Sequence, residues 1–204
     1  MYHWNRPRRR WGTWQQQAWG GQPRCYSTPE PLGREMVRLA GIQPGMRVLE
    51  PEAGDGALAR IVRATCPEAW LDVIEIDPAL QALLHQQGYH VAGQDALDYQ
   101  AGPVYGAVVM NPPFRGRQDI WHILTCFDFV APGGRLVTIA SAESVTGTST
   151  RAEAFRAWLR ERQAWVQRLP GGPNGIFMQS ARPTQVETYL IVLQKPAAAS
   201  AAAA

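Results

Sequence analysis

Between residues 26 and 195, the order of apolar and polar positions alternates between strand and helix patterns. Short apolar runs bounded by glycine, proline or polar residues predict buried strands, and apolar positions three and four residues apart predict amphipathic helices. The predicted strands are 47–50, 70–76, 89–91, 105–110, 135–141, 165–169 and 186–194. The predicted helices are 31–42, 57–66, 78–87, 119–130 and 152–163.

Repeated strand–helix units predict an α/β fold, namely a Rossmann-like, doubly wound sheet of seven mostly parallel strands with helices on both faces. The last two predicted strands, 165–169 and 186–194, have no predicted helix between them. Parallel neighbours need a long crossover connection, so we expect these two strands to form an antiparallel C-terminal pair.

The two ends of the chain depart from this pattern. Residues 1–25 contain five arginines and no acid, and they lack apolar periodicity. This composition predicts a flexible basic arm rich in Arg and Trp. Residues 196–204 form an Ala-rich, low-complexity tail. We therefore expect an arm at 1–25, a single domain at 26–195 and a tail at 196–204.

Composition excludes several classes of protein. The net charge is +3, and the arm accounts for the basic excess, so the remaining chain is close to neutral. No apolar run approaches the roughly 20 residues of a membrane span, and the first residues lack the apolar segment of a secretory signal. We therefore expect a cytoplasmic protein without a membrane partner. Cys25, Cys66 and Cys126 are scattered singly, which argues against a disulfide framework or a metal site.

A glycine loop at residues 50–56 follows a predicted strand and opens a predicted helix. Gly54 and Gly56 allow the backbone to turn tightly and to approach a ligand closely. Glu75 lies 21 residues after Gly54, at the end of the next predicted strand. An acid at that place can accept hydrogen bonds from both ribose hydroxyls of a nucleoside. The loop and the acid together predict a nucleotide-binding site.

The charges of the loop distinguish between two nucleotides. The dinucleotide fingerprint needs a third spaced glycine, which is missing here. Glu50, Glu52 and Asp55 would repel a pyrophosphate, whereas they suit a sulfonium and an α-ammonium group. These residues therefore favour S-adenosylmethionine over NAD as the cofactor.

The tetrapeptide Asn111-Pro112-Pro113-Phe114 follows the predicted strand 105–110, at the sheet edge where doubly wound folds bind ligands. An adenine amine is a weak nucleophile because its lone pair is delocalised into the ring. The side-chain carbonyl of Asn111 and the backbone carbonyl of Pro112, held by restricted φ angles, can accept its two N–H bonds. Phe114 can stack on an extruded base. The tetrapeptide thus predicts methyl transfer to a planar amine. No cysteine follows a proline, which disfavours cytosine-C5 chemistry.

Residues 48–56 and 111–114 resemble motifs of class I S-adenosylmethionine-dependent methyltransferases, especially the amino-methylating N6-adenine DNA enzymes with an NPPF motif. Residues 26–29 resemble the N-terminal motif that borders the methionine carboxylate in that family, and residues 94–96 match its adenine-contacting motif. The resemblance implies that the cofactor-binding residues are Thr28, Pro29, Glu50, Gly54, Gly56, Glu75, Ile76, Asp95, Ala96 and Asn111. It assigns catalysis to Asn111, Pro112, Pro113 and Phe114.

Two positions depart from the family pattern. Glu52 stands where the family usually has a small residue such as Ser, and it adds a negative charge near the methionine end of the cofactor. Gly106 stands where an Asp is common, and we expect this difference to affect only packing. His122 is a single histidine on a predicted helix, which is typical of a packing or surface residue.

The leading functional hypothesis is methylation of adenine N6 in DNA. The alternatives are the same reaction on RNA, N5-methylation of a protein glutamine, and a non-catalytic nucleic-acid binder that keeps the fold. Residues 144–151, with Gly147, are a candidate loop bordering a base pocket. The arm either binds nucleic acid or serves as a solubilising leader. The candidate nucleic-acid contacts are Arg6, Arg8, Arg9, Arg10, Trp11 and Arg115.

Overall fold

The computed structural model describes residues 26–180 and 183–198, so the arm at 1–25 and the end of the tail at 199–204 lie outside the described residues. The strands of the described residues are β1 (Arg47–Glu50), β2 (Trp70–Ile74), β3 (His90–Gly93), β4 (Tyr105–Met110), β5 (Val130–Ser141), β6 (Trp165–Leu169) and β7 (Thr188–Gln194). The α-helices are α1 (Glu30–Ala40), α2 (Ala57–Thr65), α3 (Pro78–Gln86), α4 (Gln118–Asp128), α5 (Ala142–Thr146) and α6 (Thr150–Glu161). Two 3₁₀ helices span Arg115–Arg117 and Ile176–Gln179.

The strands form one seven-stranded sheet in the order β3-β2-β1-β4-β5-β7-β6. The five strands from β3 to β5 pair in parallel, whereas β7 pairs antiparallel with both β5 and β6. This topology confirms the predicted Rossmann-like fold with its antiparallel C-terminal strands. It also places the carboxyl ends of β3, β2, β1 and β4 in one row.

Alternating side chains of the central strands pack into two separate cores. Val48 of β1 and Val109 of β4 lie in a core with the apolar residues of α1 and α2. Leu49 and Val108, one position away, lie in the other core with residues of α4 and α6. Because successive strand residues point to opposite faces, this division places α1 and α2 on one side of the sheet and α4 and α6 on the other.

Several element boundaries follow local signals in the sequence. Asp77 caps α3 by accepting hydrogen bonds from the backbone N–H groups of Ala79 and Leu80, and Pro78 occupies the first turn. The short helix α5 was not predicted, although Ser141 caps it through the N–H of Ser144. This helix has only 5 residues, which is too short for a helical repeat of apolar positions to be visible.

The start of β5 differs from its prediction. The segment 132–134 (PGG) predicted only a helix end, with a strand beginning at residue 135. In the structure the strand begins at Val130, and its pairing with β4 shifts register before Arg135. Gly133 has a φ of 81°, and its N–H donates to the carbonyl oxygen of Lys195. The return of the C-terminal segment therefore holds this irregular stretch in the sheet.

The glycine at position 106 has a packing role, as expected. A Cβ atom built on Gly106 would lie 2.5 Å from Cγ of Met46. An aspartate at this position would therefore displace Met46.

Among the described residues, no helix is long and apolar enough to cross a membrane. Cys66 and Cys126 are buried, and Cys25 lies outside the described residues.

Candidate active site

The candidate site lies where the carboxyl ends of four parallel strands meet. Asp95, Glu75, Glu50 and Asn111 follow or end β3, β2, β1 and β4 respectively, and these strands are neighbours in that order. Four residues that the sequence spreads over about 60 positions thus form one row along the sheet edge. The site residues predicted from separate motifs therefore belong to a common region.

The glycine loop after β1 has the backbone that its residues predict. Gly54 and Gly56 have φ angles of 56° and 79°, in the left-handed region that favours glycine. A Cβ atom on Gly56 would also lie 2.8 Å from Oε1 of Gln87. The second glycine is therefore required by both its conformation and the space around it.

Glu75 is tied to this loop from the neighbouring strand. Its Oε2 accepts a hydrogen bond of 2.7 Å from the N–H of Gly54. Its Oε1 accepts one of 2.8 Å from the N–H of Asp77. Burial raises the pKa of Glu75, while the two backbone donors act in the opposite direction. Each oxygen keeps a further lone pair for a ligand hydroxyl. Next to it, the apolar side chain of Ile76 is 38% exposed.

Glu50 is the most unusual carboxylate in the region. Its side chain is buried, and Oε2 has no hydrogen-bond partner. Burial is the main reason that its pKa is raised well above the ordinary value, and repulsion from Glu52, Asp55 and Glu75 adds to the effect. A buried acceptor without a donor is energetically unfavourable in a folded protein. A ligand with an ammonium group fits this place, because it supplies both donors and positive charge.

The segment before α1 is bound to both loops of the site. Nδ2 of Asn111 donates to the backbone oxygen of Tyr26 at 2.9 Å and to Oγ1 of Thr28 at 3.2 Å. Ser27 donates to Oδ2 of Asp55 at 2.8 Å. Because the Tyr26 carbonyl can only accept, the amide nitrogen of Asn111 must face it. Oδ1 of the same amide therefore points away from this segment.

The rest of the tetrapeptide forms a rigid turn against the core. Pro112 is buried, and Pro113 and Phe114 are half-buried. The Phe114 ring packs on the core that α1 and α2 share with the sheet. Arg115 follows in an exposed 3₁₀ turn. The turn therefore presents part of an aromatic ring and a basic side chain near the sheet edge.

The last strand end of the row carries Asp95 and Ala96. Oδ1 of Asp95 accepts a hydrogen bond of 2.8 Å from the N–H of Leu97. Asp95 is half-buried, whereas Ala96 is buried in the core. Pro29, at the opposite side of the site, is buried and precedes the first residue of α1. Asp95 therefore has a second oxygen available to a ligand.

The sequence did not indicate a close pair between Glu52 and His122. Nδ1 of His122 lies 2.6 Å from Oε1 of Glu52, and their side chains are only 11% and 16% exposed. The other oxygen of Glu52, Oε2, is buried without a hydrogen-bond partner. The pair joins the glycine loop to α4 across 70 positions of sequence. The only sequence signal was that Glu52 departs from the family pattern. The expectation that His122 has only a packing or surface role misses this bond.

The candidate base-pocket loop at 144–151 is corrected in part by the structure. Ser144 is fully buried within α5 and donates to Oδ1 of Asp119 at 2.7 Å. Oδ2 of Asp119 accepts a further bond from the N–H of Ser141 at 2.8 Å. A Cβ atom on Gly147 would collide with the carbonyl oxygen of Glu143. Asp119 of α4 is therefore bound to both the end of β5 and α5, and Ser144 is not part of an open loop.

Five of the predicted nucleic-acid contacts lie outside the described residues. They are Arg6, Arg8, Arg9, Arg10 and Trp11. In the described part of the chain, no group of three or more His, Cys, Asp or Glu side chains is arranged to hold a metal ion.

Comparisons with known proteins identify the fold. No family model and no curated protein matches the sequence. Among solved structures, a modification subunit assigned to a type I restriction enzyme from Vibrio vulnificus superposes with a TM-score of 0.64 at 17% identity, covering 90% of this chain and 47% of that chain. The chain thus spans about half the length of that subunit.

Two further solved structures have lengths closer to this chain. A predicted O-methyltransferase from Agrobacterium tumefaciens superposes with a TM-score of 0.58 at 17% identity, with 80% of each chain covered. The N-methyltransferase NodS from Bradyrhizobium japonicum, in complex with S-adenosylhomocysteine, gives 0.57 at 19% identity, covering 81% of this chain and 86% of that chain. This chain therefore has the fold of S-adenosylmethionine-dependent methyltransferases.

Proposed function

We propose that this protein is an S-adenosylmethionine-dependent methyltransferase that modifies the exocyclic N6 amine of adenine in DNA. One observation carries the cofactor part of the proposal. Glu50 is a buried acid with a donorless oxygen, and it stands beside Glu75 in the row of strand ends. The methionine ammonium and the ribose hydroxyls of the cofactor match these two acceptors.

The other residues of the row complete the cofactor site. Glu75 is already oriented by two backbone N–H groups, so its remaining lone pairs can accept from the ribose. Ile76 offers an exposed apolar surface for the adenine ring, and Asp95 can accept from the adenine amine. Thr28 and Pro29, next to the bound segment at 26–27, border the methionine carboxylate.

Asn111 is the principal catalytic residue in this proposal. When bound, S-adenosylmethionine supplies an electrophilic methyl group on a positively charged sulfur. Thr28 and the Tyr26 carbonyl hold the Asn111 amide by its nitrogen, which leaves Oδ1 to accept one N–H of the substrate amine. The carbonyl of Pro112 accepts the other N–H. These two acceptors raise electron density on the amine and align its lone pair for transfer.

Phe114 and Arg115 are proposed to contact the substrate base and its backbone. The half-buried Phe114 ring is braced by the core and can stack on an extruded base. Arg115 lies in the exposed turn that follows, where a guanidinium can approach a phosphate. The resemblance to amino-methylating DNA enzymes and the structural likeness to a restriction-modification subunit favour DNA. RNA adenine and a protein glutamine amide are the alternative acceptors of the same site.

The deciding experiment measures transfer of labelled methyl groups to DNA, RNA and protein in parallel, followed by nucleoside and amino-acid analysis. We expect N6-methyladenine in DNA, and label in RNA or in glutamine would replace DNA as the acceptor. Asn111→Ala should abolish transfer while S-adenosylmethionine still binds. Normal turnover by that variant would contradict the role assigned to Asn111.

The arm at 1–25 is proposed to bind nucleic acid through Arg6, Arg8, Arg9, Arg10 and Trp11. Each phosphate neutralised by an arginine adds to the salt dependence of binding. Deleting residues 1–24 should therefore weaken DNA binding and flatten its dependence on salt concentration. A salt slope equal to that of the full chain would assign the arm to solubility instead.

A further inference from the structure

We propose that Glu52, oriented by His122, is a specificity-determining residue that favours the positively charged cofactor over its neutral demethylated product. The inference rests on the proposed function, and it names a role for two side chains that the proposed reaction does not otherwise use. It starts from the hydrogen bond between the two residues and from the oxygen of Glu52 that has no donor.

The hydrogen bond fixes the direction of the Glu52 side chain. An ionised carboxylate can only accept, so Nδ1 of His122 donates to Oε1 of Glu52 across 2.6 Å. Both side chains are largely buried, and water therefore screens the pair weakly. Once Oε1 is held by the ring, Oε2 is oriented too, and that oxygen is buried without a partner. His122 is thus a positioning residue for a free carboxylate oxygen.

The topology places this oxygen near the reacting end of the site. Glu52 belongs to the loop after β1, and His122 lies in the first turns of α4, which follows the turn at 111–117. Since β1 and β4 are paired, the loop and the Asn111 turn emerge side by side. Asn111 is bound from the segment before α1, whereas Glu52 is bound from α4 on the other face of the sheet. The two side chains therefore flank the same edge from opposite sides.

The cofactor has as many cationic groups as the glycine loop has acids with a buried, donorless oxygen. S-adenosylmethionine has two cationic groups, the α-ammonium and the sulfonium, and the loop has two acids with a donorless buried oxygen. Glu50 ends β1 and suits the ammonium, which supplies hydrogen-bond donors. The sulfonium has no N–H and needs only a nearby negative charge. Glu52, which is tethered to the helix after the catalytic turn, is the acid that remains for it.

The consequence is a difference between substrate and product. Methyl transfer forms an N–CH₃ bond from the amine lone pair as the S–CH₃ bond breaks. The electron pair of the broken bond stays on sulfur, which becomes a neutral thioether, and the methylated amine then releases a proton to water. The attraction to Glu52 is then lost, so the product cofactor dissociates more readily than the substrate cofactor. The same attraction stabilises the ground state, because it weakens as charge leaves the sulfur. The pair therefore favours binding of S-adenosylmethionine over its product and release of that product, but it raises the barrier of the methyl-transfer step.

The test compares two ligands and two matched variants by isothermal titration. Glu52→Gln keeps the shape and an acceptor for His122 but removes the charge. We expect about tenfold weaker binding of S-adenosylmethionine and a change within about twofold for S-adenosylhomocysteine, as befits one partly screened charge pair. Glu68→Gln removes one exposed charge before β2, at the opposite sheet edge, and should leave both affinities unchanged.

Variants of His122 test the positioning role. His122→Leu removes the donor and should lower the preference for S-adenosylmethionine, whereas His122→Gln supplies an amide donor and should restore part of it. Thermal melts of each variant show whether the chain remains folded. Equal losses for both ligands, or no loss in Glu52→Gln, would overturn the inference while leaving the methyltransferase proposal intact. If the wild-type protein bound neither ligand, the cofactor proposal itself would fail.

Discussion

The buried carboxylate of Asp72, inside the sheet, and those of Glu50 and Glu52, at its edge, have opposite environments. Asp72 of β2 accepts hydrogen bonds from Arg47, His90 and the Tyr105 hydroxyl, each at 2.8 Å. Toward the carboxyl ends of the strands, Glu50 and Glu52 each retain a buried oxygen without any donor. The hydrogen bonds around Asp72 outweigh its desolvation and lower its pKa, whereas burial and neighbouring acids raise the pKa of Glu50.

The contrast separates stability from function. A buried carboxylate with all its partners holds strands together, and breaking it leaves several polar groups unpaired. A buried carboxylate without partners destabilises the folded state, and a ligand that supplies donors or positive charge offsets this destabilisation. We therefore assign the Asp72 group to the architecture and the Glu50 loop to cofactor binding.

Removing Asp72, whose carboxylate accepts three hydrogen bonds, should have the largest effect on stability. Asp72→Ala removes the acceptor of the buried Tyr105 hydroxyl and of Arg47. We expect the free energy of unfolding to fall by about 3 kcal/mol, as measured by urea denaturation. Asp98→Ala, at an exposed position, is the control and should change stability little. A loss below about 1 kcal/mol would show that the group contributes little.

Removing the charge of Glu50, which has a buried oxygen without a donor, should change the free energy of unfolding in the opposite direction. Glu50→Gln relieves repulsion from Glu52, Asp55 and Glu75 and removes a buried charge. We expect stability at pH 7 to rise, because burial and the neighbouring acids disfavour the charged form of Glu50, and we expect the affinity for S-adenosylmethionine to fall. Paired denaturation and titration experiments measure the two effects. A variant that is less stable and binds normally would reverse the assignment of this residue.

The pH dependence of stability should differ between the two groups. The raised pKa of Glu50 means that the folded state holds its proton longer than the unfolded state, so this residue's contribution declines as pH rises above its ordinary value of 4.5. The lowered pKa of Asp72 gives a contribution present above its ordinary value of 3.8 and lost as pH falls below it. Glu50→Gln should flatten the decline above pH 4.5, and Asp72→Asn should reduce the loss in acid. Denaturation curves between about pH 2 and 8 that are parallel in all three proteins would contradict this picture.

The smallest expected effect on stability is at Tyr99, which is hydrogen-bonded to Tyr105, one of the donors to Asp72. The hydroxyls of Tyr99 and Tyr105 lie 2.9 Å apart. Tyr99→Phe removes one hydrogen bond but leaves Asp72 and its three donors in place. We expect a loss of about 1 kcal/mol in the free energy of unfolding and no change in cofactor affinity. A loss as large as that of Asp72→Ala would mean that Tyr99 organises the whole group.

Local signals predicted the seven strands and all the α-helices of the described residues except α5, together with the parts of the site that lie next to strands. The capping residues Asp77 and Pro78 and the left-handed Gly54 and Gly56 behave as their residue types indicate. Alternating strands and helices gave the correct class of fold. The start of β5 at Val130 was not predicted because pairing with the C-terminal segment, far away in sequence, holds it there.

The sequence by itself determined which residues end each strand, and the row of acids and Asn111 follows because parallel strands align their carboxyl ends. Only the tertiary structure decided which hydrogen-bond partners the side chains of the site and its surroundings have. It paired Glu52 with His122, fastened Ser144 to Asp119 and held the Asn111 amide against Tyr26. The physical reason is that hydrogen bonds between distant segments depend on how helices pack on the sheet. Strand and helix patterns arise from local backbone geometry and from which side faces the core, so they can be detected without that packing.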